Sequence, residues 1–141
     1  MRRIDLAYMA GIFDGEGCIC LRKCKKRSVV LDISFANTNE WLIQWAKFAF
    51  GGKVYLVEQS SPSSKGKNWK PYWRWAMSSN KALGFLRLLY PYLRLKKPQA
   101  ELAIKFQEAR GGTGCRFTDE ERAIAEAQRI VMGKFNKTGV I

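Results

Sequence analysis

The chain has 141 residues, no histidine, and 25 Lys and Arg against 12 Asp and Glu, a formal net charge of +13. That length suits one domain, and 47% apolar residues including 8 Phe, 5 Trp and 5 Tyr are enough for a packed core rather than general disorder. Without histidine there is no Ser–His–Asp triad, no His general base and no His-ligated zinc site, so any chemistry falls to carboxylates, Lys, Arg, Tyr, Cys or a bound ion.

The basic excess is even: residues 1–70 hold 12 basic and 6 acidic side chains, and residues 71–141 hold 13 and 6. It is therefore no detachable tail, and it argues for a polyanionic partner, with a merely basic soluble protein as the plain alternative. Asp5 and Asp14 bracket a short apolar run that is no signal peptide. No stretch reaches the roughly 20 apolar residues of a membrane span. The expectation is an intracellular, cytoplasmic protein (organellar if eukaryotic) with no membrane partner.

In chain order, residues 4–13 read as a short helix, apolar on nearly every side and therefore buried against something. Residues 18–27 and 29–37 read as strands joined by a turn at Lys25–Ser28. Ile19, Leu21, Leu31, Ile33 and Phe35 alternate with polar or small residues, the pattern of a sheet with one buried face. Asn39 is placed to cap a helix over 40–50, which stops at Gly51-Gly52. A strand at 53–59, a polar loop at 60–68 and a Trp-rich strand at 69–77 follow. Helices are expected at 80–90, at 99–109 and, after a loop, from a Thr118–Glu121 capping box to about 132, with Phe117 at the staple position. The order αββαββα plus further helices predicts an α+β fold: an antiparallel sheet with helices on one face and the other face free.

The outward positions of those strands are Arg22, Cys24, Lys26, Asp32, Ser34, Tyr55, Gln59, Tyr72 and Arg74. They form a polar, basic set suited to base edges and phosphates in a major groove, and are otherwise an ordinary solvated face. Four cysteines do not make a disulfide framework in this size. Cys18, Cys20 and Cys24 with Cys115 do not suit a zinc site, because a strand spreads its same-face residues about 6–7 Å apart per step.

In Met9-Ala-Gly-Ile-Phe-Asp-Gly-Glu-Gly17 the small residues recur at helical spacing, including Gly11 and Gly15, and Glu16 falls at the helix end. A carboxylate is disfavoured at the negative end of the helix dipole unless a cation is near. Two such helices packed side by side would bring two carboxylates together, a set that hard divalent ions such as Mg²⁺ would satisfy. A glycine-rich helix stop with an exposed acid is the plain alternative.

Met9–Gly17 resembles the LAGLIDADG signature of homing endonucleases, read here as M-A-G-I-F-D-G-E-G. The element order also matches that family's core over residues 5 to about 109, with a C-terminal helical extension at about 110–141, in a single domain. The resemblance implies a site-specific double-strand DNA endonuclease, acting as a homodimer because only one motif is present. It implies divalent metal (Mg²⁺, or Mn²⁺) held by Glu16 with the Gly15 carbonyl. It implies an active-site Lys96, with Lys97 one residue away, and Asn37 where a water-contacting Gln often stands. Ala10, Gly11, Phe13 and Asp14 fall in the implied dimer interface, with Asp14 in a structural role. No small-molecule cofactor is implied. Glu in place of the commoner Asp at position 16 is a departure that bears on metal geometry. An intron RNA maturase, or a DNA-binding protein without catalysis, is the alternative on the same fold.

Overall fold

The computed structural model describes residues 1–24, 28–58, 70–110 and 118–138. In chain order these form α1 (Arg3–Glu16), β1 (Cys18–Lys23), β2 (Val29–Asn37), α2 (Glu40–Phe50), β3 (Lys53–Val57), β4 (Tyr72–Ser78), α3 (Ser79–Leu89), α4 (Lys97–Arg110) and α5 (Asp119–Thr138), with a 3-10 turn at Tyr90–Tyr92. The strands form one sheet in the order β1-β2-β4-β3, every pair antiparallel. This is the predicted α+β architecture.

The alternation in the strands decides which face is buried. Ile19, Leu21, Leu31, Ile33, Phe35, Trp75 and Met77 all lie under the helices at 8% exposure or less. Each fully buried side chain of this size contributes about 1.5–3 kcal/mol. An aromatic cluster joins the sheet to the helices: Phe35 packs on Trp75, and Trp75 meets Phe85 of α3, which also packs edge-on against Phe13 of α1 and Phe50 of α2. The α2 helix stops at Gly51 and Gly52, both at positive φ, and the Trp75 indole N–H donates to the Gly51 carbonyl at 2.8 Å.

The α1 helix buries Met9, Ala10 and Phe13 and leaves Ile4, Ala7, Tyr8, Gly11 and Gly15 outside. Two expected interface residues are corrected by this. Ala10 and Phe13 are 0% exposed and belong to the chain's own core, so no partner can touch them; the outward small-residue stripe is Ala7, Gly11 and Gly15. A helix apolar all round gives no facing from sequence alone; the sheet decides it.

Several boundaries moved. The first helix runs to Glu16, through both glycines. The first strand ends at Lys23, before Cys24, and the fourth begins at Tyr72, after Pro71 rather than across it. Lys26, Gln59, Trp69, Cys115 and Phe117 lie outside the described residues. The Asn39 side chain does not cap α2; its backbone N–H instead takes the Asn37 side-chain oxygen at 2.8 Å. Trp41 is 67% exposed on α2. The capping box of α5 is reciprocal: Glu121 N–H donates to Thr118 Oγ1 and Thr118 N–H to Glu121 Oε2. Along the edge of the sheet, the Asn136 amide of α5 donates to the Ile19 carbonyl of β1 at 2.8 Å.

Candidate active site

The site begins with how α1 ends. Gly17 turns the chain out of the helix with its N–H on the Phe13 carbonyl at 2.8 Å, and a Cβ there would lie 2.5 Å from the Phe13 ring and carbonyl. Only glycine fits this close a turn. Glu16 is thereby left exposed as the last residue of the helix, with no basic residue in the last turn of α1.

The cation that such an end calls for arrives from elsewhere in the chain. The Asp14 carboxylate accepts the backbone N–H groups of Arg94, Leu95 and Lys96 at 2.8, 3.2 and 3.0 Å, pinning the segment before α4 to the end of α1. The Lys96 ammonium then donates to the Asp14 carbonyl at 3.0 Å, one of the carbonyls a helix end leaves without a partner. From the other side, at the end of β2, the Asn37 amide donates to Glu16 Oε2 at 3.2 Å. Lys96 and Asn37 thus both reach the last turn of α1, Lys96 at the Asp14 carbonyl and Asn37 at the Glu16 carboxylate, although 80 residues separate Lys96 from Glu16. Lys97 instead lies over the Tyr90 ring, 5.5 Å from its centroid. Asp14 is occupied with residues 94–96 and does not offer its carboxylate to a partner.

A groove of about 560 Å³ runs along the outer face of α1, lined by Ala7, Tyr8, Gly11, Ile12, Gly15 and Leu42, and reaches Glu16 and Asn37. At Gly11 and Gly15 an added Cβ would meet nothing within 4 Å. Neither glycine is demanded by this chain's own packing or by positive φ, yet each weakens the helix by about 0.5–1 kcal/mol relative to alanine.

The uncovered sheet face carries a second concavity, of about 1040 Å³. Its rows follow from the register: Cys18, Ser34, Ala76 and Lys53 stand in one line, and Ala36, Arg74 and Tyr55 in the next. Arg22, Tyr55, Tyr72 and Arg74 are exposed there, as expected. Arg22 is ion-paired with Asp32. Ser34 is only 9% exposed because Arg74 covers it, Nη2 donating to Ser34 Oγ at 3.1 Å. Ser34 therefore positions Arg74 and does not itself face outward. Cys24, half-buried, closes the end of the β1 hairpin with its N–H on the Ser28 carbonyl. Lys53 was missed from the outward set: it opens the predicted strand two residues before Tyr55, so the same alternation puts it on this face, and the register confirms it in line with Ala76.

Cys18 and Cys20 also lie on the open face as free thiols. The hydrogen bond from Cys20 pulls the Cys18 thiol down from about 9 to about 6, against the effect of partial burial and with help from Arg74 and Lys96. The same bond pushes Cys20 upward.

Among the described residues no group of three His, Cys, Asp or Glu side chains could hold a metal ion. Glu16 and the Gly15 carbonyl are hard oxygen donors, right in kind for Mg²⁺ or Mn²⁺ but too few in one chain. No described helix is long and apolar enough to cross a membrane.

No protein-family model matches the sequence, and no curated protein matches it. Solved structures do. The homing endonuclease I-CvuI, in complex with its target in the presence of calcium, superposes with a TM-score of 0.71 at 18% identity, over 98% of this chain and 87% of that one. The archaeal intron-encoded homing endonuclease I-Vdi141I, complexed with DNA, gives 0.60 at 12% identity over 95% of this chain and 98% of that one. I-SmaMI, bound to an uncleaved DNA target with calcium ions, gives 0.64 at 19% identity; the match takes 96% of this chain and 46% of that one, so the chain spans about half of I-SmaMI. The protein carries the LAGLIDADG homing endonuclease fold.

Proposed function

We propose that this chain is a divalent-metal-dependent DNA endonuclease of the LAGLIDADG homing type, acting as a homodimer on a long, roughly palindromic duplex. The observation that carries the reading is the pairing of two features on α1: a C-terminal turn where Asn37 holds the Glu16 carboxylate and Lys96 the Asp14 carbonyl, and a bare Ala7–Gly11–Gly15 stripe leading to it. The glycines cost helix stability and return nothing inside the chain, so their use lies in the close approach of another backbone. A second copy packed on that stripe about a two-fold axis brings the second Glu16 alongside the first. The three similar structures were solved with target or DNA, two of them in the presence of calcium, which supports both the duplex and the divalent ion.

In this reading the free sheet face lies along the major groove, with a +13 chain supplying the affinity for phosphate. Glu16, the Gly15 carbonyl, their mates in the second copy and the phosphates would hold the divalent ions. Once bound, such ions supply an activated water and offset the charge that builds up at phosphorus. Asn37 holds the Glu16 carboxylate in place through its amide. Lys96, anchored at the helix end, stands ready to stabilise negative charge on the departing 3′ oxygen or to hold a proton at the surrounding solvent. Water adds to phosphorus, the 3′ oxygen leaves, and cutting both strands across the minor groove yields staggered 3′ overhangs.

The test is a randomised duplex library incubated with the chain and Mg²⁺, followed by sequencing of the ends. Paired, staggered cuts in an enriched near-palindrome are expected, and Glu16→Gln should abolish them while keeping binding to the same duplex. Binding without any cut by the unaltered chain would leave a DNA-binding protein and end the enzymatic reading; preferential binding of structured RNA would point to a maturase.

A further inference from the structure

Asp32 is the one acidic residue within the four strands, and it stands in the concavity of the uncovered face. On a surface meant for a polyanion an acid opposes binding, since every phosphate repels it. Its position is therefore informative. Arg22 lies opposite Val30 in the β1–β2 register and Cys20 lies opposite Asp32. Arg22 and Asp32 are thus diagonal neighbours on one face, and Arg22 Nε donates to Asp32 Oδ2 across that diagonal. The Arg22 side chain remains 58% exposed while Asp32 is 26% exposed, so the pair is open on the arginine's side.

We propose that Arg22 is a specificity-determining residue that reads a guanine in each half of the bound duplex, and that Asp32 is the positioning residue that holds its guanidinium for that reading. The inference rests on the DNA-binding reading above. An unrestrained arginine on a basic face follows phosphates. One whose Nε is tied to a carboxylate has its charge offset and its long stem held, and keeps the two terminal nitrogens as a fork. That fork matches guanine O6 and N7 in the major groove, the commonest specific arginine contact to DNA. The acid thus sacrifices general affinity for discrimination at one base pair. Arg22 stands four residues along β1 from Cys18, about 13 Å at roughly 3.3 Å per residue. The guanine is therefore expected about four base pairs outward from the Cys18 row, at roughly 3.4 Å per base, and mirrored in the other half-site.

The experiment is selection of bound duplexes from a randomised library, in a Glu16→Gln background so that ligands stay intact, with Arg22→Lys, Arg22→Ala and Asp32→Asn compared. The parent should enrich guanine at one mirrored position. Both Arg22 variants should lose that preference, roughly tenfold or more, and keep every other position. Asp32→Asn should weaken the same preference while raising affinity for random duplex, an effect a merely structural ion pair would not produce. Arg22→Lys keeps the charge and stem, so it serves if another variant fails to fold. Preference unchanged in the Arg22 variants overturns the proposal, as does a preference that vanishes in Asp32→Asn but survives in Arg22→Ala, which would make Asp32 the base contact. Enrichment of no duplex by the parent overturns the DNA-binding reading itself, and so is distinguishable from failure at this one position.

Discussion

Two acids two residues apart in α1 have opposite relations to the fold. The Asp14 carboxylate receives three backbone N–H groups and fixes the segment that delivers Lys96. Among the described residues Glu16 receives only the Asn37 amide, and it sits against the dipole of its own helix. Asp14→Ala should therefore cost about 2 kcal/mol of folding stability, since charge-assisted hydrogen bonds are lost and their donors left without an acceptor. Glu16→Gln should be neutral or stabilising by about 0.3–1 kcal/mol. Urea unfolding at one protein concentration measures both. A Glu16→Gln chain as unstable as Asp14→Ala would mean that Glu16 serves the fold rather than a site. At this scale the motif singled out Glu16 and Asp14, and Lys96 was reached only through the family resemblance; the structure brings the Lys96 segment onto Asp14. The facing of Ala10 and Phe13 was not legible, because nothing polar marks one side of α1. The role of Ser34 was equally hidden: a strand pattern gives the face of a serine, not the arginine lying over it.

Among elements, those whose limits are written in residue types were read to the residue. β2 and α2 fall where the alternation and the glycine stop put them, since a buried face and a positive-φ stop are both written in residue types. The apolar run ended α1 too early, at residue 13, because Gly15 looks like a breaker and is in fact helical. That same fact makes α1 testable as an element. In the isolated chain Gly11→Ala fills open space and should stabilise the helix by about 0.5–1 kcal/mol. Against a second copy the larger Gly11→Leu side chain would hold the backbones apart. Denaturation should thus show no penalty for filling position 11, while sedimentation at low concentration shows two chains falling to one and cleavage falling with it. A Gly11→Leu chain that remains a pair would place the interface elsewhere.

In the proposed function the whole molecule joins two surfaces with different demands: a helix stripe that would come close to another backbone, and a sheet that would meet a charged duplex. The even spread of basic residues along the sequence announced the second without locating it. The strand alternation gave the face, and the register gives its layout, setting Lys53 in line with Cys18 and Ser34, at the far side of the sheet from the Arg22–Asp32 pair. Lys53 has no carboxylate among its cross-strand neighbours and carries its charge on a long, flexible stem, the arrangement that suits phosphate rather than a base edge. Its removal should therefore act differently from that of Arg22. Lys53→Ala should weaken binding to every duplex by a similar factor and leave the preferred sequence unaltered. The slope of log affinity against log salt should fall by about 1, the release of one fewer counterion. Fluorescence anisotropy over a series of KCl concentrations, with preferred and random duplexes in parallel, reads both quantities. A slope that stays put would remove Lys53 from the phosphate path and shift the duplex toward the β1 edge of the sheet, where α5 is tied down through Asn136.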